Sequence, residues 1–215
     1  MSSILKVDEI QDTSGNNIIN ESSDTITIGA SGDTISIPSG ATIANSGTAT
    51  GFGIDGITVA DQWRLSADKA NVDTSNTIFD SNVERVDTSG QGTIGTAMSE
   101  SSGVFTFPET GIYLVNFDLI SSIASDVRYL NIHIQISTNG GSSYSIVGEG
   151  RAGGFVSEGS ATNNQAHTNT LVDVTNTSNV KVKFQAIISN TASNSIYGST
   201  SFNYTTMTFI RLGDT

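Results

Sequence analysis

The chain reads as all-β, and three features of the sequence carry that expectation. Residues 103–119, GVFTFPETGIYLVNFDL, alternate polar and apolar positions on either side of a Pro-Glu-Thr-Gly turn. From about Thr58 onward, short alternating segments follow one another with turn residues between them and no helical period. Upstream, Asp24-Thr-Ile-Thr-Ile-Gly29 recurs nine residues later as Asp33-Thr-Ile-Ser-Ile-Pro38. Period-two alternation suits a half-buried strand, because successive side chains point to opposite faces of a sheet. Short strands at regular spacing without helices predict a sandwich or barrel.

At the N-terminus, the Asp12–Asn17 stretch is a turn signal. Its flanks, Ile4–Ile10 and Ile18–Ile19, can pair as a small ribbon. A short helix over Leu5–Gln11 is the alternative, since Ile4, Val7 and Ile10 share a helical face. Residues 1–20 thus read as a docking segment, too small to be stable alone.

The repeat has a degenerate third copy at Ala41–Ile43. Such units expose their isoleucines and bury them only by stacking. Three chains wound together would place Ile26, Ile28, Ile35, Ile37 and Ile43 on a common axis. Residues 21–58 are therefore expected to form a trimeric shaft, with a hinge at Asn45–Gly53; the competing reading is a flexible Ser/Gly-rich linker.

Residues 59–215 form the expected globular head, long enough to bury one core. The strand candidates are Gln62–Ala67, Thr77–Val86, Gly103–Phe107, Ile112–Ser121, Arg128–Ser137, Ser143–Gly148, His167–Val174, Val180–Ile188 and Ser201–Leu212. In Arg128–Ser137, Leu130, Ile132, Ile134 and Ile136 point inward and Tyr129, Asn131, His133 and Gln135 outward. Asn139-Gly140-Gly141 is a hairpin turn.

Composition narrows the function. The net charge is −12, and no Lys or Arg stands between Lys6 and Arg64. Phosphate backbones and anionic lipid surfaces are recognised by cations, so neither nucleic acid nor membrane insertion is expected. The absence of cysteine excludes disulfides and thiol-based metal or redox chemistry. The opening MSSILKVDEI lacks the basic flank and apolar core of a secretory signal, so synthesis in a cytoplasm is expected. His133 and His167 are the only histidines, neither in a recognisable triad pattern, and no carboxylate pair suggests an acid and a base. Asp87-Thr-Ser-Gly-Gln-Gly lacks the ligand spacing of a calcium loop. No enzyme, no metal and no cofactor are expected.

A resemblance then enters. Phe105, Gly111, Tyr113 and the alternating Val115 and Phe117 resemble the central motif of complement globular-head and tumour-necrosis-factor-like jelly rolls. Trp63-Arg-Leu-Ser-Ala67, Ile78-Phe-Asp80 and Met207–Leu212 resemble that family's first, following and closing strands. The chain departs from the pattern at Thr93, Met98 and Val115. The resemblance implies a ten-strand jelly-roll sandwich forming a homotrimeric head, with the three-fold axis near Tyr113, Phe117, Tyr204 and Met207. Tyr144 and Tyr197 lie in small polar loops and suit ligand recognition, or fold back on the sheet.

The opening followed by an Ile/Thr shaft also resembles the attachment end of marine-bacteriophage tail-fibre proteins. That resemblance implies a virion tail fibre made in the host cytoplasm, docked to other tail or baseplate proteins through its N-terminus, whose head meets a host surface glycan or protein. The alternatives are a purely structural fibre or connector component, whose head trimerises and caps the shaft, and a bacterial surface adhesin.

Overall fold

The computed structural model describes residues 9–11, 13–15, 17–23, 25–29, 31–42, 56–154, 160–191 and 193–215. The chain divides into two compact units, Met1–Gly51 and Phe52–Thr215.

In the first unit, β1 (Glu9–Gln11), β2 (Asn17–Ser22) and β3 (Thr25–Ile28) form an antiparallel meander. Ile10 pairs with Ile19, and Ile19 with Ile28. The N-terminal ribbon is therefore a strand pair at Glu9–Gln11, where a helix was the alternative; the preceding residues lie outside the described ones. The first repeat copy supplies β3. The second, Asp33–Pro38, takes no strand in a single chain. Ile26, Ile28, Ile35 and Ile37 are all exposed, Ile26 at 68%. One chain leaves the isoleucines of both copies uncovered. Ile43 and the expected hinge lie outside the described residues.

The second unit holds β4 (Ala60–Leu65), β5 (Lys69–Val72), β6 (Thr77–Ile78), β7 (Val83–Arg85), β8 (Ser99–Ser101), β9 (Val104–Thr106), β10 (Gly111–Ile123), β11 (Val127–Ser137), β12 (Ser145–Gly154), β13 (Thr162–Val174), β14 (Lys181–Ile188), β15 (Asn194–Ile196) and β16 (Thr206–Gly213). No helix occurs among the described residues. One sheet runs β5-β15-β10-β16-β4-β7, with β13 on the free edge of β10. The other runs β12-β11-β14-β9-β8, with β6 beside β14. All pairings are antiparallel, and the two sheets face each other as a jelly-roll sandwich. The described strands exceed the ten implied by resemblance because β5 to β8 and β15 are short pieces of two to four residues.

Alternation decides what each strand buries. Along β10, Tyr113, Val115, Phe117, Leu119 and Ile123 are fully buried, and the residues between them half-buried. Facing them are Leu130, Ile132 and Ile134 of β11 and Val182, Phe184, Ala186 and Ile188 of β14. Phe105 is the hub: its ring lies 5.4 Å from Trp63, 5.5 Å from Phe184 and 5.2 Å from Phe209. Edge-on and tilted contacts of this kind add to the burial of large rings. The Thr77–Val86 candidate splits into β6 and β7, and Ser201–Thr205 is a loop before β16.

Two devices set how closely the sheets approach. Gly148, Gly150 and Gly154 of β12 are buried, and a Cβ at Gly150 would overlap the His167 carbonyl of β13. Glycine in a strand permits such close approach. Gly140 and Gly141 (φ +72° and +92°) close the β11–β12 hairpin in the expected place.

Candidate functional site

The seven-stranded sheet buries one face and leaves the other open. Across β4, β16, β10 and β13, the open face is ruled into rows by register. One row is Ala60, Ile210, Leu114 and Leu171; the next is Gln62, Thr208, Asn116 and Asn169. Leu171 is 63% exposed, and Leu212 and Ile94 are half exposed. On β13 the outward residues are Gln165, His167, Asn169, Leu171 and Asp173, so Leu171 is an apolar residue in a polar series. An apolar row next to an amide row has the mixed composition of protein–protein contact surfaces.

Three of the four residues expected near the three-fold axis of the head are turned into the core. Tyr113, Phe117 and Met207 are wholly buried inside one protomer. Phe117 packs on Phe184 at 5.0 Å, and Tyr113 on Phe107 at 4.7 Å, with its hydroxyl donating to the Glu109 carbonyl at 3.0 Å. No part of them remains for a second copy. The neighbours one residue away, Ile112, Leu114, Asn116 and Asp118, carry the open face. The signal was present in the sequence, since Ile112 and Leu114 sit on the parity opposite Tyr113. What it lacked was which parity faced the second sheet. Tyr204 is the exception among the four, 38% exposed.

Tyr204 instead joins Tyr197. Their ring centroids are 5.8 Å apart, and Phe202 also lies 5.8 Å from Tyr204. Together with Asp68, Ile120 and Asn163, the two tyrosines line an open cleft of about 500 Å³. Tyr144 is elsewhere, beyond the Asn139–Gly141 turn. Lys183 Nζ sits 4.0 Å above its ring, and burial raises its hydroxyl pKa. The structure does not bring the two candidate ligand-binding tyrosines together.

The titratable groups form pairs rather than a reaction centre. Asp118 Oδ1 lies 2.7 Å from His167 Nδ1, but the far ring nitrogen meets the Asn169 amide at 3.2 Å, not a hydroxyl. A triad would need a nucleophile there. His133 is buried, contrary to its expected surface position, because Gln185 and Glu149 close over it. Its Nε2 stands 3.3 Å from Glu149 Oε2 but out of line for a hydrogen bond. Hydrogen bonding from Arg151, together with its charge, holds the Glu149 carboxyl below its usual value. Asp87 of the weak calcium candidate is committed to Arg64, 3.0 Å away. Among the described residues no cluster of His, Asp and Glu could hold a metal.

No protein-family model and no curated protein matches the chain. Solved structures do. The Eiger TNF structure from S. frugiperda superposes with a TM-score of 0.53 at 9% identity, covering 74% of this chain and 95% of that one. The head has the TNF-like jelly-roll fold. Murine APRIL at pH 8.0 gives 0.49 at 10% identity over 72% of this chain and 98% of its own. The PRD1 vertex protein P5 gives 0.44 at 16% identity over 74% and 99%. Identities this low speak to fold alone.

Proposed function

We propose that the chain is a homotrimeric, non-enzymatic virion protein: a tail fibre whose repeat shaft presents a jelly-roll head to a receptor on the host-cell surface. The observation that carries the reading is that each unit, taken by itself, leaves an ordered apolar surface uncovered. In the first unit this is Ile26, Ile28, Ile35 and Ile37. In the second it is the row through the half-buried Ile210 and Leu114 to the exposed Leu171. Monomeric proteins seldom leave contiguous surface of this kind exposed. Three-fold association of both units in one fibre would cover both. The resemblance of the head motif to trimeric jelly rolls, and of the N-terminal layout to phage fibres, points the same way. The domain division follows: docking ribbon, shaft and head, with the ribbon reserved for other tail or baseplate proteins.

Multivalency supplies the mechanism. Three weak sites on one stalk bind a repetitive cell surface with an avidity no single site has. Light scattering of the purified full chain is expected to give three times the mass of one chain, and the fibre is expected to bind intact host cells. A monomer mass removes the fibre reading. A trimer that binds no cell at any concentration leaves the second reading, a structural component whose head only caps the shaft.

A further inference from the structure

We propose that the cleft between Tyr197 and Tyr204 is a saccharide subsite that takes a neutral sugar, with Tyr204 and Phe202 as the stacking platform and Asp68 and Asn163 as the hydroxyl partners. The proposal rests on the reading of the head as a receptor-contacting module, and names the chemistry of that contact.

Large aromatics are normally drawn into cores, yet Phe202 is 63% and Tyr204 38% exposed while touching each other. Their rings are inclined by 34°, and Tyr197 continues the wall at 50°. Aromatic faces of this kind take the C–H faces of a pyranose, and their polar tips take its hydroxyls.

The segment that carries them is held, not loose. The Tyr197 N–H donates to the Ile120 carbonyl at 2.9 Å. Ser199 Oγ accepts the Ser201 and Phe202 N–H groups at 3.1 and 3.2 Å. Beneath it, the wholly buried Arg64 donates to the Thr200 carbonyl and to Asn203 Oδ1. A platform fixed before binding saves the ordering cost that weak ligands cannot offset.

The polar partners are complementary to hydroxyls. Asn163, which lines the cleft, accepts the Tyr197 hydroxyl on Oδ1 at 3.1 Å, leaving its amide N–H groups as donors. Asp68 Oδ1 accepts the Gly198 N–H at 2.9 Å, leaving Oδ2 as an acceptor. One carboxylate and one amide beside aromatic rings give the donor and acceptor pair that vicinal hydroxyls need. The same carboxylate, with no cation lining the cleft among the described residues, disfavours acidic sugars and phosphates. Lys69, next in sequence, is spent on Asp80 at 2.9 Å.

Saturation-transfer NMR on the full chain tests this, with mono- to trisaccharides of glucose, galactose, mannose and N-acetylglucosamine as probes and 3′-sialyllactose as the acidic control. Transfer to C–H protons of at least one neutral sugar is expected, and none to sialyllactose. Asp68→Ala, at an exposed position, and Tyr204→Ser are each expected to weaken binding at least tenfold without changing the mass in light scattering. Absence of transfer to every neutral sugar, preference for sialyllactose, or binding untouched by both variants overturns the proposal. So does a Tyr204→Ser protein that falls to monomer, which would make the aromatic cluster a contact between copies. Retained host-cell adhesion without saccharide binding overturns the subsite and leaves the receptor-contacting fibre standing; absence of adhesion by the wild-type trimer removes the receptor role instead.

Discussion

His167 Nδ1 lies 2.7 Å from Asp118 Oδ1, and the two residues are register partners across β10 and β13. The pair sits on the open face, on the same parity as Leu114 and Leu171. The longest strand pairing in the head therefore presents an apolar row, an amide row and the Asp118–His167 pair in succession. Polar rows of this kind fix register between surfaces, while apolar rows supply the association energy.

Leu171→Asp is expected to abolish association of the head while leaving its fold intact. Leu171 is mostly exposed, so the substitution removes little from the core. Analytical ultracentrifugation of the variant should give a monomeric head with an unchanged circular dichroism spectrum. An unaltered oligomer would place the interface elsewhere.

Gly150→Val is expected to destabilise the sandwich by about 1–3 kcal/mol, the usual cost of overpacking. The new side chain would meet the His167 carbonyl and the Ile132 side chain, so β12 and β13 would have to part. The urea midpoint reports this directly. An unchanged midpoint would mean that the approach of these strands is not tight.

Asp61 is a buried carboxylate at the start of β4. It accepts hydrogen bonds from Trp63 Nε1 and the Met98 N–H, each at 2.9 Å, and from Arg85 Nε at 3.1 Å. Asp61→Ala strands those donors, at about 1–3 kcal/mol for each buried group left unpaired. We expect a loss of about 3 kcal/mol or more in denaturant unfolding, with the oligomeric state of the folded fraction preserved.

The Tyr113 hydroxyl is pushed up to about 12, first because burial penalises the phenolate and then because of the Glu109 carboxylate. The unfolded chain releases this proton near the ordinary value of 10, before the folded chain does. The group's contribution is thus fully present below pH 10 and lost as pH rises towards 12. Tyr113→Phe lacks that loss. Its unfolding midpoint should converge on the wild-type midpoint over this window, and parallel curves would show that the phenol does not titrate in that way.

Much of the head was legible because alternation is local. The inward set of β11 and the buried series Val180, Val182, Phe184, Ala186 and Ile188 follow from the sequence order alone. The three-residue strands β8 and β15 were not legible, since each is defined by its partner rather than by its own pattern. The strand candidate Ser143–Gly148 stops short of the strand Ser145–Gly154, because the glycines that extend it carry no alternation and instead let β13 come close. His133 looked exposed by parity, and is buried because long side chains on neighbouring strands fold over it.

By itself the sequence determined the all-β class, the position of the central strand β10, the hairpin at Gly140–Gly141 and the periodic isoleucines of the first unit. Those depend on side-chain period and turn chemistry, which are properties of neighbouring residues. Only the tertiary structure decided which face of β10 is core and which is open. A one-residue change of parity exchanges Tyr113 and Phe117 for Leu114 and Asn116, and nothing within the strand says where the second sheet lies. Tertiary structure alone also brought Tyr197, Tyr204, Asp68 and Asn163 to one cleft, because that meeting depends on β10, β13 and the loop before β16 folding to the same end of the sandwich.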